Sequence, residues 1–138
     1  MMPADLEANK AVVRRYFELY EGGDPRAALA LLTEDASWDV PGRSELAGRQ
    51  TRAQVEAMLT GELPFDGVLR FRIHDLIAEG DRVAARVESM GTLKNGGEYN
   101  NFYVFIFTVR DGRVTSVIEQ TDTLYSYRTL IEPFQAKP

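Results

Sequence analysis

A chain of 138 residues has the length of one domain with room for a sizeable core, and a single domain over residues 1–138 is expected. The formal net charge is −5, which argues against a nucleic-acid or anionic-membrane surface, since both need clustered Lys and Arg. No cysteine is present, so disulfides, thiol catalysis and Cys-ligated metals are excluded.

Met1-Met2-Pro3-Ala4-Asp5 carries neither a basic flank nor an apolar run. No signal peptide is therefore expected, and the cytoplasm is the expected compartment. Leu6 to Glu21 reads as a first helix, with Val13, Tyr16, Phe17 and Tyr20 at i, i+3, i+4 and i+7 forming one apolar stripe. Gly22-Gly23 ends it. Asp24-Pro25 then gives an N-cap followed by proline at the first helical position, opening a second helix through Leu32. Ala36 to Val40 reads as a short strand stopped by Pro41-Gly42, followed by a polar loop to Gln50. Thr51 and Gln54 have capping-box spacing and begin a third helix through about Leu59, with Val55, Met58 and Leu59 on its buried side.

From Val68 the period becomes strand-like. Leu69, Phe71 and Ile73 alternate with Arg70, Arg72 and His74, and Glu79-Gly80-Asp81 makes a turn. Val83, Ala85, Val87 and Ser89 alternate with Ala84, Arg86 and Glu88, so the next strand has one polar side, and Asn95-Gly96-Gly97 turns the chain again. The last hairpin pairs Glu98–Val109 with Val114–Leu124 across Asp111-Gly112, which supply the positive φ angles of a tight turn. Its first arm is apolar on both faces from Phe102 to Phe107, as in a central strand; that run is too short to span a bilayer. Tyr103, Phe105 and Phe107, with Arg86 and Glu88, are expected on the outer sheet face. After Thr123 an amphipathic tail is expected to dock on the body, and Ala136-Lys137-Pro138 to fray. Three helices, a short strand and a four-strand meander predict an α+β fold: a curved antiparallel sheet packed on one face by helices.

These residues resemble a known superfamily. Ala11-Val12-Val13-Arg14-Arg15-Tyr16 through Gly23-Asp24 resembles the first helix of ketosteroid isomerase. Trp38-Asp39-Val40-Pro41-Gly42, Leu46-Ala47-Gly48, and Arg110 to Val114 with Glu119 and Asp122-Thr123 resemble the SnoaL-like polyketide cyclases. The resemblance covers roughly Ala8 to Leu124. It implies the cone-shaped nuclear-transport-factor-2-like (cystatin-like) α+β roll, a deep pocket closed by helices, and a two-fold homodimer. In ketosteroid isomerase a first-helix tyrosine and a protonated aspartic acid polarise the substrate carbonyl while another aspartate moves the proton. Tyr16 matches the tyrosine, but Val40 and Phe105 stand at the two acids. In limonene epoxide hydrolase, on the same fold, Glu119 matches a pocket aspartate, whereas its Arg-x-Asp pair falls on Val87 and Ser89. Neither of those two reactions is expected.

What remains is one carboxylate in the middle of a strand, which needs a partner, water or a purpose. Val117, Glu119 and Thr121 share a face under strand alternation, and that face is expected to line the cavity opposite Tyr16, Tyr20 and Trp38. Glu119 and Tyr16 are the candidate catalytic groups. Tyr20, Trp38, Val40, Val87, Ser89, Phe105, Val117 and Thr121 are the candidate ligand contacts. His74 is expected to be a hydrogen-bonded structural residue, Asp122 to cap or pair near the tail, and Asn100 and Asn101 to serve a turn. One histidine and dispersed acids give no metal-ligand spacing, and no Gly-rich loop runs from a strand into a helix, so no cofactor is expected. A small cofactor-independent enzyme acting by proton transfer on an apolar or aromatic molecule, a binding protein for a hydrophobic metabolite, and an interaction protein all remain open.

Overall fold

The computed structural model describes residues 5–135. Helix α1 (Leu6–Glu21) starts where the Asp5 carboxylate accepts the Ala8 N–H at 3.0 Å, and it buries Val13, Tyr16, Phe17 and Tyr20, the predicted stripe. Asp24 caps α2 (Pro25–Leu29) in the same way. α2 ends three residues before the expected Leu32, because the chain is already needed in strand β1 (Leu32–Val40), where Leu32 pairs with Val114. The segment expected to be loop contains β2 (Gly48–Thr51), which pairs antiparallel with β1. Thr51 then begins α3 (Arg52–Thr60) with a complete capping box: its hydroxyl accepts the Gln54 N–H at 3.1 Å, and its own N–H donates to the Gln54 side chain at 2.9 Å. Val55 of α3 is buried, but Met58 is half exposed rather than buried, because it borders an opening in the fold.

Strands β3 (Phe65–Glu79), β4 (Arg82–Leu93), β5 (Glu98–Arg110) and β6 (Arg113–Thr121) form the expected meander. The sheet order is β2-β1-β6-β5-β4-β3, antiparallel throughout except for β1 and β6, which run parallel. Asp111 and Gly112 take φ of 51° and 75°, as a primed hairpin turn requires. Register shifts in β1, β3 and β6 bend the sheet. The result is an α+β fold, a curved and unclosed six-strand sheet whose concave side is covered by the N-terminal helices. Asp122 accepts the Tyr125 N–H at 3.0 Å and starts α4 (Thr123–Ser126), which continues into a π-helical turn (Tyr127–Ile131) and a 3₁₀ turn (Glu132–Phe134). Asp122 thus caps the tail. The ends expected to lack a signal and to fray, residues 1–4 and 136–138, lie outside the described residues.

The core lies between α1 and the concave face, where Val83, Ala85, Val87, Phe105, Phe107, Val109, Val114 and Val117 are buried. This reverses the expected orientation of β5. Phe105 pairs with Ala85 and Glu119, and Tyr103 with Val87 and Thr121, so Tyr103, Phe105 and Phe107 all point inward. The outer face instead carries Phe102 and Val104, both exposed, beside Arg86 and Glu88. A strand apolar on both faces offers no contrast from which to read its phase. Among the described residues no helix is long and apolar enough to cross a membrane.

Candidate functional site

An α-helix laid on a concave sheet touches it along one stripe and leaves a gap where the sheet curves away. The stripe contact is aromatic. Phe17 packs edge-on against Phe105 at 5.4 Å and lies 5.1 Å from Phe71, and Tyr16 sits 5.8 Å from Phe107 and 6.1 Å from Trp38. The gap is a cavity of about 470 Å³, ample for a small molecule. Trp38 and Phe105, 6.2 Å apart, form part of its wall. Val55, Met58 and Leu59 of α3 close one side, and Leu130 and Ile131 of the tail close another. Both side chains belong to the π-helical turn, a feature frequent at functional sites.

Few polar groups enter this apolar space. Glu119 is cross-strand from Phe105 and borders the cavity. Its remaining accessible surface opens on the cavity, and it makes no side-chain hydrogen bond or ion pair among the described residues. Burial therefore goes uncompensated and pushes its pKa up to about 7. Near neutrality both the acid and the carboxylate are populated. Tyr16 and Tyr20 also present hydroxyls that form no hydrogen bond with the described residues. Burial raises the pKa of Tyr16 well above its ordinary value and that of Tyr20 to about 12, and the Glu119 charge adds to both. Both phenols stay neutral donors at any physiological pH.

Of the residues singled out from the sequence, Tyr16, Tyr20, Trp38, Val40, Phe105, Glu119 and Thr121 border the cavity. Val87, Ser89 and Val117 do not. They lie on the concave face but are fully buried: Val87 is opposite Tyr103, Val117 is opposite Phe107, and the Ser89 hydroxyl bonds that of Tyr103 at 2.9 Å. Short side chains on a strand sit below the level of their aromatic neighbours, which take the surface. His74 pairs with Glu88 at 3.0 Å on the convex side. Asn100 and Asn101 belong to a strand interior rather than a turn. Asn100 donates to Glu88 and to the Ser89 carbonyl, and the buried Asn101 donates to the Tyr99 hydroxyl, the Asp122 carbonyl and the Ser126 hydroxyl. Sequence reasoning missed Tyr99, Tyr103, Ser126, Leu130 and Ile131 at the cavity. The odd-numbered run Tyr99-Asn101-Tyr103-Phe105-Phe107 was the available signal for the first two. Among the described residues no three His, Cys, Asp or Glu side chains converge into a metal-ligand cluster.

The sequence profile of the SnoaL-like domain matches residues 13–117, most of the chain. The chain belongs to the SnoaL-like domain family. No curated protein matches it in sequence. Among solved structures, this SnoaL-like chain is similar to a nuclear-transport-factor-2-like protein from Burkholderia xenovorans at 28% identity and TM-score 0.70, over 91% of this chain and 98% of the other. It is similar to a protein described as a candidate ketosteroid isomerase from Kribbella flavida at 26% identity and TM-score 0.68, over 97% and 85%. A candidate polyketide cyclase from Xanthomonas campestris matches at 25% identity and TM-score 0.70, over 88% and 95%. The fold is thus shared with nuclear-transport-factor-2-like proteins.

Proposed function

We propose that this cavity takes up a small apolar or aromatic molecule and that Glu119 moves a proton on it without a cofactor, in a reaction of the isomerase, cyclase or hydrolase type. The observation that supports the reading is the Glu119 carboxyl, unpaired among the described residues and facing an apolar chamber. As a carboxylate it takes a proton from carbon beside a carbonyl, or from water. Tyr16 donates a hydrogen bond to the oxygen on which negative charge develops. In an isomerisation the same proton returns from Glu119 to another carbon, so nothing is consumed. The likeness to a candidate ketosteroid isomerase and a candidate polyketide cyclase supports the same class of chemistry. A cytoplasmic location belongs to this reading.

A second reading, a binding protein without turnover, is favoured by Val40 and Phe105. Both stand on the cavity wall where ketosteroid isomerase carries its acids. Deuterium exchange separates the two. β-Tetralone in heavy water, followed by proton NMR, reports abstraction of its α-protons directly. On the catalytic reading the protein accelerates exchange, and Glu119→Gln keeps β-tetralone binding but slows exchange by a factor of roughly a hundred. Binding without accelerated exchange would support the second reading.

We further infer a two-fold dimer through the convex face. Ile77, Ala84, Ile106 and Ile118 form one cross-strand row there, next to exposed Phe102 and Val104. A contiguous apolar surface of this kind marks an interface.

A further inference from the structure

Four hydroxyls run in a chain, three of them on the cavity wall. Ser89 meets Tyr103 at 2.9 Å, Tyr103 meets Tyr99 at 3.2 Å, and Tyr99 meets Ser126 at 3.1 Å. Each hydroxyl brings one hydrogen, so the chain holds four hydrogens for three bonds. One is left over. It is not that of Ser89, which is fully buried with the Tyr103 oxygen as its sole partner among the described residues, and a buried hydroxyl spends its hydrogen on the acceptor in reach. The two hydrogens of the Asn101 amide are shared among the Tyr99 oxygen at 3.0 Å, the Ser126 oxygen at 2.8 Å and the Asp122 carbonyl at 3.2 Å, so at least one of the two hydroxyls accepts from it. The surplus hydrogen therefore belongs to Tyr103, Tyr99 or Ser126, and all three border the cavity.

The rest of the wall restricts what can accept it. Among the described residues no Lys, Arg or His borders the cavity, whereas two acids, Glu45 and Glu119, do. An anionic ligand would enter without a countercharge and against like charges. We propose that the Tyr99–Tyr103–Ser126 cluster, oriented by Asn101, is a donor site for an uncharged carbonyl oxygen, so that the ligand is a neutral apolar molecule carrying a ketone, quinone or ester group and not a carboxylate or phosphate. This deepens the reading above and rests on it only for the cavity being a binding site. The donor site lies apart from Tyr16, on the sheet and tail rather than on the first helix, so a ligand with two oxygens is held at two places.

Matched probes test it: β-tetralone, its oxygen-free counterpart tetralin, and a tetralin carboxylate. Trp38 is the single tryptophan and borders the cavity, so its fluorescence reads occupancy. Tetralone should bind about three- to tenfold more tightly than tetralin, the worth of one net hydrogen bond, and the carboxylate more weakly than either. The infrared carbonyl stretch of bound tetralone should shift to lower frequency. Tyr99→Phe and Tyr103→Phe combined with Ser126→Ala should remove the preference and the shift while tetralin still binds. A carboxylate that binds as tightly as the ketone, or a shift lost in Tyr16→Phe but kept in the triple variant, overturns the proposal. Should that variant not fold, a wild-type crystal soaked in tetralone decides. A ketone oxygen beside Tyr103, Tyr99 or Ser126 supports the assignment, and one elsewhere sinks it. Failure of deuterium exchange alone, with these binding results intact, removes the catalytic reading and leaves the donor site standing.

Discussion

Glu119 links the cavity to the stability of the whole chain. Its carboxyl ordinarily titrates near 4.5 and is raised to about 7 by burial. Between those values the folded chain keeps a proton that the unfolded chain has released, so folding is favoured most below about pH 4.5 and less as pH climbs toward 7. The loss across that window is about 3 kcal/mol. Asp81 and Glu88, whose pKa values are lowered chiefly by hydrogen bonds to Arg110 and Asn100, work in the opposite sense at acid pH. The contrast between wild type and Glu119→Gln isolates the Glu119 part. Urea midpoints across this range should fall with pH in the wild type relative to the variant, and parallel curves would contradict the shift. At the same scale, Val40 and Phe105 in place of the aspartates predict no appreciable isomerisation of a β,γ-unsaturated ketosteroid; turnover abolished by Tyr16→Phe would overturn this. The facing of Glu119 was legible because regular alternation sets it on one side with Val117 and Thr121. The facing of Phe105 was not, since Phe102 to Phe107 is apolar in both phases.

Helix starts were written locally and read well. Asp24-Pro25 and the Thr51–Gln54 pair act through side chains three residues away, which a sequence displays directly. Strand β2 was illegible for the opposite reason. Gly48-Arg49-Gln50-Thr51 carries no apolar alternation and exists because β1 offers backbone partners from Ser37 to Val40. The tail was recognisable as amphipathic, but its docking site was not, because it depends on Asn101, which the sequence assigned to a turn. That residue ties β5 to α4 through Ser126 and the Asp122 carbonyl. Asn101→Ala should cost about 2–3 kcal/mol by leaving buried hydroxyls short of a donor. It should also loosen the tail before the sheet. Tryptic cleavage at the exposed Arg128 is expected to accelerate well ahead of global unfolding; cleavage at the wild-type rate would show that the tail is held by its apolar contacts alone.

At the scale of the molecule, the fold class followed from the order of periodicities, three helical stretches and then four strands, because that order leaves few ways to cover a sheet. The proposed dimer rests on the convex face. Light scattering at micromolar concentration should give twice the chain mass, and Phe102→Glu should return a monomer. A wild-type monomer would refute the dimer. The parallel pairing of β1 with β6 also sets a timetable. Leu32 waits for Val114 and Trp38 for Val117, so the middle of the sheet stays open until nearly the last strand has left the ribosome. The aromatic stripe of α1 meets Phe71 of β3 and Phe105 and Phe107 of β5 earlier, but until then β1 and β5 keep open edges, the surfaces most prone to stick. A ribosome stalled before Val114 therefore releases a chain whose β1 and β2 have nowhere to join the meander, and which cannot complete its sheet.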